Sequence, residues 1–420
     1  MAKETSVVIL FGNMQRRSDM LSQEIEEQLA DVLVSRIQEA NTYILEKIGE
    51  SIKYISTLTP TQAYKLGQVL KYGGTYNDIA RELAKISGMN VQDIYKIFEE
   101  VAKSNKEFAK QFYEYRGIDY IPYSQDIALQ RQVKSIATLT ANTYLNISNT
   151  RGIGFLFADK DGQMYFKDIQ QSYNEIIDRG ILSISQGKET FQSEMRRIMK
   201  QLGHSGVVQY ESGRTRRLDS AVRMNLLDGI RQLNNDLSIR FGEEYKADGI
   251  EISVHSNPAP DHADIQGRQF SKEQYDILES GGIATDYKGH KYDGSDKRHI
   301  SEYNCYHKIF SIVLGVSKPE YTDEQLEEIQ KKNNDGFEFE GKHYTNYEGT
   351  QLQRRLELEV RKEKDTQILA RKAGDEELAK ESERKIREIT QKYNVLCRTS
   401  GLKPVKQRMS VSGYKRIKID

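Results

Sequence analysis

The sequence has no tryptophan, only two cysteines and six prolines, no net charge, and no apolar run near the roughly twenty residues that a membrane-crossing helix needs. Each shortage narrows the reading. Cys305 and Cys397 lie too far apart to build a disulfide framework, and the one early apolar run, residues 7–11, is too short for a secretory leader. Together they predict folding in a reducing cytoplasm and no membrane contact. Lys plus Arg equals Asp plus Glu at 62 each, so no overall field draws the chain onto nucleic acid or an anionic lipid surface. Any such contact has to be local.

What is present is length and charge. A chain of 420 residues allows two or three domains, and a 37% hydrophobic share suffices for cores. A 30% charged share and a mean hydropathy of -0.70 point to elongated helices with large solvated faces.

Leu21, Ile25, Leu29, Val32, Leu33, Ile37, Ile44, Ile48 and Ile52 recur at helical spacing and predict one amphipathic helix over about 14–55, roughly 60 Å long, to pack in a bundle or to bridge partners. Thr59-Pro60 reads as a helix start and Gly73-Gly74-Thr75 as a break, with helices expected over 75–87, 91–103 (after a stop and cap at 88–90), 106–115 and, past a bend at Tyr120-Ile121-Pro122-Tyr123, 124–147. Residues 151–162 suggest a short hairpin or a connector; Gly152-x-Gly154 lacks the third glycine and the Lys-Ser/Thr of a phosphate loop. Helices at 165–178 and 188–202, the latter stopped by Gly203, lead to a strand at 207–210. The next helix, 214–241, opens with Arg214, Arg216, Arg217 and Arg223, a salt-bridged face or else a contact for an anionic partner. A strand at 249–254 follows.

Beyond Pro319 the pattern gives a capped helix at Thr322, a hairpin at 336–344, and a long charged segment split at Ala373-Gly374-Asp375 into two antiparallel helices or one kinked rod. The last twenty residues carry six basic side chains against one acidic, an exposed tail or edge strand. The expected fold is mainly α with a small α+β module. Its segments are a long N-terminal helix (1–58), a helical region (59–205), a central α+β module with a His/Cys cluster (206–320), and a C-terminal helical hairpin with a basic tail (321–420).

Residues 254–315 differ from the rest. They hold five of the seven histidines (His255, His262, His290, His299, His307) and Cys305. Cys305-x-His307 on an extended segment puts thiol and imidazole on one face, and Pro258-x-Pro260 turns the chain between His255 and His262. A zinc site of His255, His262, Cys305 and His307 is therefore stereochemically reasonable, with Asp261 as a substitute ligand or as a partner orienting a histidine. Equally, these groups can tie a loop by hydrogen bonds alone. A Cys305 nucleophile with His262 or His307 as base lacks a recognisable oxyanion element, and an Asp261/Asp264 magnesium site rests on a commonplace spacing. The chain has no complete catalytic constellation.

The ordered residues His255-Ser-Asn-Pro-Ala-Pro-Asp-His262-Ala-Asp-Ile-Gln266-Gly267-Arg-Gln-Phe270-Ser271, then Asn304-Cys305-Tyr-His307, then Gly315, resemble the signature of the phage minor capsid protein 2 family, related to Mu F-like head morphogenesis proteins. Tyr347-Glu-Gly-Thr-Gln351-x-Gln353-Arg354-x-x-Glu357-x-x-x-Arg361, Arg408 and Ser412-Gly413 resemble its continuation. The likeness runs from about residue 214 to the end. Ile265 stands where tryptophan is common, Tyr306 where arginine is, and 281–303 is charged rather than glycine-rich. The resemblance implies a structural minor head protein of the virion, assembled in the host cytoplasm and associated with the portal. Its expected partners are the portal protein, the major capsid or scaffold protein and, through the basic tail, viral DNA; assembly, packaging or ejection would be its task. The alternatives are a metal- or cysteine-dependent enzyme delivered with the virion and a nucleic-acid-binding ejection protein.

Overall fold

The computed structural model describes residues 23–63, 77–79, 81, 91–147, 153–158, 161–209, 215–300 and 305–419. The expected break at Gly73-Gly74-Thr75, the cap at 88–90 and the helix before residue 23 lie outside the described residues, as do residues 151–152, Tyr210, Arg214 and Asn304. Of the helix expected over 75–87, residues 77–79 and 81 are described, and they are helical.

In chain order the long helices are α1 (Gln23–Ser56), α2 (Val91–Arg116), α3 (Ile127–Ile147), α4 (Ile169–Gln186), α5 (Lys188–Ser205), α6 (Leu218–Glu244), α7 (Lys272–Glu279), α8 (Asp323–Asp335), α9 (Asn346–Ala373) and α10 (Glu376–Ser400). The strands are β1 (Ile153–Ala158), β2 (Met164–Asp168), β3 (Gly206–Gln209), β4 (Thr215–Arg217), β5 (Gly249–Ile252), β6 (Gln269–Ser271), β7 (Ile283–Thr285), β8 (Lys291–Asp293), β9 (Ile309–Ile312), β10 (Phe337–Phe339) and β11 (Lys342–Tyr344). The protein is mainly α with small antiparallel sheets. No helix among the described residues is long and apolar enough to cross a membrane.

Two compact units result, each drawn from three separate stretches. The first comprises Met1–Asp31, Asn90–Asn142 and Met224–Thr350; the second comprises Val32–Met89, Thr143–Arg223 and Gln351–Asp420.

The first unit is built on the antiparallel sheet β6-β5-β9. Ile250, Ile252, Ile265, Phe270, Leu278, Ala284, Tyr292, Ile300 and Ile309 form its core. On the other side Phe310 and Ile312 pack with Phe108 of α2. β9 is an edge strand, and bare strand edges recruit foreign chains. Here α6 covers it: the Ile309 and Ser311 N–H groups donate to Asn235 Oδ1 (3.1 Å) and Ser238 Oγ (2.8 Å), and the Tyr245 hydroxyl donates to the Ser311 carbonyl (2.7 Å). Gly242 permits that approach, since a Cβ there would lie 2.4 Å from the Ser311 side chain.

α2 runs unbroken where two helices, 91–103 and 106–115, were expected. Asn105, in the expected gap, and Lys106 after it are both buried. Asn105 donates to the Val101 carbonyl and to Asn234 Oδ1, and the Lys106 ammonium, 3.3 Å from Asp126, sits over the Phe241 ring.

The second unit contains the sheet β2-β1-β3-β4, with α4 and α5 packed on it. β2, the second strand of the hairpin with β1, occupies 164–168, where the helix expected over 165–178 was to begin; Asp168 caps α4 after it. Gly203 is interior to α5 rather than its stop, because it lies where Thr366 of α9 crosses: a Cβ would sit 2.0 Å from Thr366 Oγ1. α9 and α10 run antiparallel, since Gln353 reaches Tyr393 and Gln367 reaches Glu383. Arg217 is buried in a charged cluster with Asp219 (3.2 Å) and Asp365 (2.8 Å), and Arg361 joins Asp219 (3.1 Å). The end of the chain forms no strand. Its carbonyls accept from Arg361, Lys364, Gln38, Thr42 and Arg387, which lays residues 408–417 along the unit.

Candidate functional site

β5 ends at Ile252, but the backbone pairing continues: Ser253 N–H donates to the Lys308 carbonyl (2.9 Å), and Lys308 N–H returns to Ser253 Oγ (2.8 Å). Residues 253–256 and 305–308 therefore lie side by side beyond the sheet. Pro258 and Pro260 then turn the chain, with His262 N–H donating to the Ala259 carbonyl (3.0 Å) and Gln266 N–H to the His262 carbonyl (3.3 Å). Gly267 closes the loop at φ 71°, and its N–H donates to the Ile252 carbonyl (2.8 Å). A side chain at 267 would meet Leu326 and Val254 at 2.6 and 2.9 Å.

This path brings three side chains to one point. The sulfur of Cys305 lies 3.3 Å from His262 Nδ1 and 3.6 Å from His307 Nδ1. The three atoms are within 4.8 Å of one another, and the residues are 2%, 1% and 1% exposed. His255 does not join this group. Its ring lies beside that of His307, centroids 4.4 Å apart, and its backbone N–H donates to Gln266 Oε1 (3.1 Å). His290 pairs with Asp286 (3.0 Å) and His299 with Glu279 (2.9 Å), both away from the cluster.

The surrounding groups fix the rings. His262 Nε2 lies 2.7 Å from the Arg298 carbonyl, and His307 Nε2 lies 3.4 Å from Gln266 Oε1. Asp261 was expected as a ligand or as the group orienting a histidine. Its carboxylate instead binds Arg298 through two hydrogen bonds (2.6 and 3.2 Å) and stands 3.9 Å from His262 Nε2, so the Arg298 main chain is what orients His262. Asp264 is held by Lys297 (2.9 Å), so the two aspartates each serve a cation rather than a shared magnesium ion. Burial works against the Asp261 carboxylate, but the Arg298 hydrogen bond and the nearby His262 hold its pKa below the ordinary range. Burial, with His255, His262 and Arg298 adding to it, pushes the His307 imidazole well below its usual value, so the ring is neutral at physiological pH.

A neutral imidazole and a buried thiol suit metal ligation or hydrogen bonding better than nucleophilic attack, which needs an accessible thiolate. Sequence reasoning missed two supports: the Arg298 carbonyl, because a main-chain acceptor leaves no residue-type signal, and Glu26. The Glu26 carboxylate, 1% exposed, lies 2.6 Å from Lys308 Nζ and 3.2 Å from Arg231 Nε. The Arg231 guanidinium in turn lies 4.1 Å from the centre of the Tyr306 ring. This carboxylate anchors both neighbours of His307.

The family model described as phage minor capsid protein 2 matches residues 22–397, nearly the whole chain, and so extends well into the N-terminal half. The chain belongs to that family. No curated protein and no solved structure matches it. Membership makes it a phage structural protein of the virion, working in contact with other virion components.

Proposed function

We propose that this member of the phage minor capsid protein 2 family is a minor head protein of the portal vertex, contacting the portal protein and the major capsid or scaffold protein during head assembly, DNA packaging or ejection. The observation that carries the reading is the family match over 22–397. The role is mechanical rather than catalytic. Long helices such as α1, α9 and α10 offer extended polar faces to partners. The compact β6-β5-β9 module, with its buried His/Cys cluster, supplies a rigid knot between them in sequence. Where viral DNA is touched, the exposed Lys403, Lys406, Lys415 and Lys418 of the final segment are the groups to touch it.

Co-expression with the portal protein encoded in the same phage genome tests the assignment. A complex that co-purifies through affinity and size-exclusion steps is the expected result. Clean separation of the two proteins at low salt would refute it.

A further inference from the structure

The buried cluster brings two imidazoles and a thiol to one point, their ligand atoms within 4.8 Å of one another. The Arg298 carbonyl can only accept, so His262 Nε2 carries its proton. Gln266 Oε1 already accepts from the His255 N–H, which fixes the amide, so His307 Nε2 also donates. Nδ1 of both rings then faces the sulfur of Cys305.

We infer that His262, Cys305 and His307 hold a zinc ion through Nδ1, Sγ and Nδ1, fastening the loop after β5 to the segment that enters β9. Zinc satisfies all three atoms at once, and the spacing agrees. Zn–S and Zn–N bonds of roughly 2.3 and 2.0–2.1 Å at a tetrahedral angle place sulfur and nitrogen about 3.6 Å apart. The observed separations are 3.3 and 3.6 Å. Two imidazoles with a thiolate form a borderline-soft set that favours zinc over magnesium or calcium. Each ring also has its second nitrogen bound to a protein oxygen, the arrangement that orients histidine ligands. Binding replaces the S–H bond with a Zn–S bond and releases that proton to solvent. Three protein ligands leave the fourth tetrahedral position to an exchangeable group. His255 lies outside the set, and Gln266 and the Arg298 main chain are its positioning groups.

The full chain, purified without chelator from zinc-supplemented medium, should carry about one zinc per molecule by elemental analysis. Cobalt exchanged into the unmutated protein should give a thiolate-to-metal charge-transfer band, a readout that needs no substitution. The band should vanish in Cys305→Ser and persist in Cys397→Ser. His255→Asn should keep the metal, and Gln266→Ala should weaken zinc affinity by about tenfold. A cooperatively folded protein free of zinc that refuses added zinc would overturn the inference. So would a cobalt form without the thiolate band, zinc retained in a folded Cys305→Ser variant, or loss of metal in His255→Asn.

Discussion

Glu26→Ala removes one carboxylate from a nearly dry pocket of the first unit. The side chains of Glu26, Arg231 and Lys308 are 1%, 1% and 8% exposed, and the carboxylate is 2.6 Å from one cation and 3.2 Å from the other. At an effective dielectric constant of about 20, a pair roughly 3 Å apart attracts by about 5 kcal/mol before desolvation is counted. Breaking a buried pair by deleting one partner leaves charge uncompensated and costs about 3–5 kcal/mol. Asp228, 3.5 Å from Arg231, remains, so the loss should fall at the lower end, about 3 kcal/mol. For a unit of this size that lowers Tm by about 10 °C. Differential scanning calorimetry and urea denaturation measure it. Hydrogen exchange should quicken at Lys308 and Ile309, because Lys308 lies beside β9. Glu27→Ala is the control: the side chain is only half-buried and accepts a long hydrogen bond, 3.4 Å, from the Tyr306 hydroxyl, so the cost should stay below about 1 kcal/mol. A Glu26→Ala variant as stable as the parent would refute the claim that this ion cluster fixes the Tyr306–Lys308 segment.

Gly203→Ala should cost about 1–3 kcal/mol by thermal melting, because the new methyl would lie 2.0 Å from Thr366 Oγ1 and 2.7 Å from its backbone nitrogen; an unchanged Tm would show that α5 and α9 do not approach this closely. Thr322→Ala removes a capping box at the start of α8 and should cost about 1 kcal/mol in urea denaturation, with Ser recovering most of it. Asp286 accepts from the Lys288 and His290 N–H groups and from the His290 and Tyr292 side chains. Burial opposes its charge, but the His290 and Tyr292 hydrogen bonds lower its pKa overall. Its contribution is therefore intact above the ordinary aspartate value of about 3.9 and is lost as pH falls through the lower folded value. Stability followed against pH should show that acid loss in the parent and a smaller one in Asp286→Asn; identical profiles would exclude Asp286 as the source.

The helices were legible where one face is apolar throughout. Ile37, Ile44, Ile48 and Ile52 predict α1 from their spacing, and all four are at most 2% exposed. The α9–α10 hairpin was legible from Gly374, whose φ of 80° ends one helix before Asp375 caps the next. Errors fall where tertiary contacts outweigh local propensity. A gap at 104–105 was expected, yet Asn105 is buried and bonded to Asn234, far along the chain, and the helix runs through it. Gly203 reads as a stop, but its missing Cβ admits Thr366 from far along the chain. Residue types and the Cys305-x-His307 spacing marked His262, Cys305 and His307 as candidates, and the structure brings these three together. Which histidine stays out did not, because His255 and His262 differ in the side-chain acceptor and main-chain carbonyl that hold them rather than in any sequence pattern. Basic composition suggested an exposed tail or edge strand; the lysine side chains are exposed, no strand forms, and hydrogen bonds from Arg361, Lys364 and Arg387 hold the segment by its carbonyls.

The central claim is a place in the phage head beside the portal. Chemical cross-linking of purified phage particles, read by mass spectrometry, tests it most directly, with lysines on α10 and the final segment as reporters. The account predicts this chain in the particles with cross-links to the portal protein. Its absence from both mature particles and procapsids would contradict it.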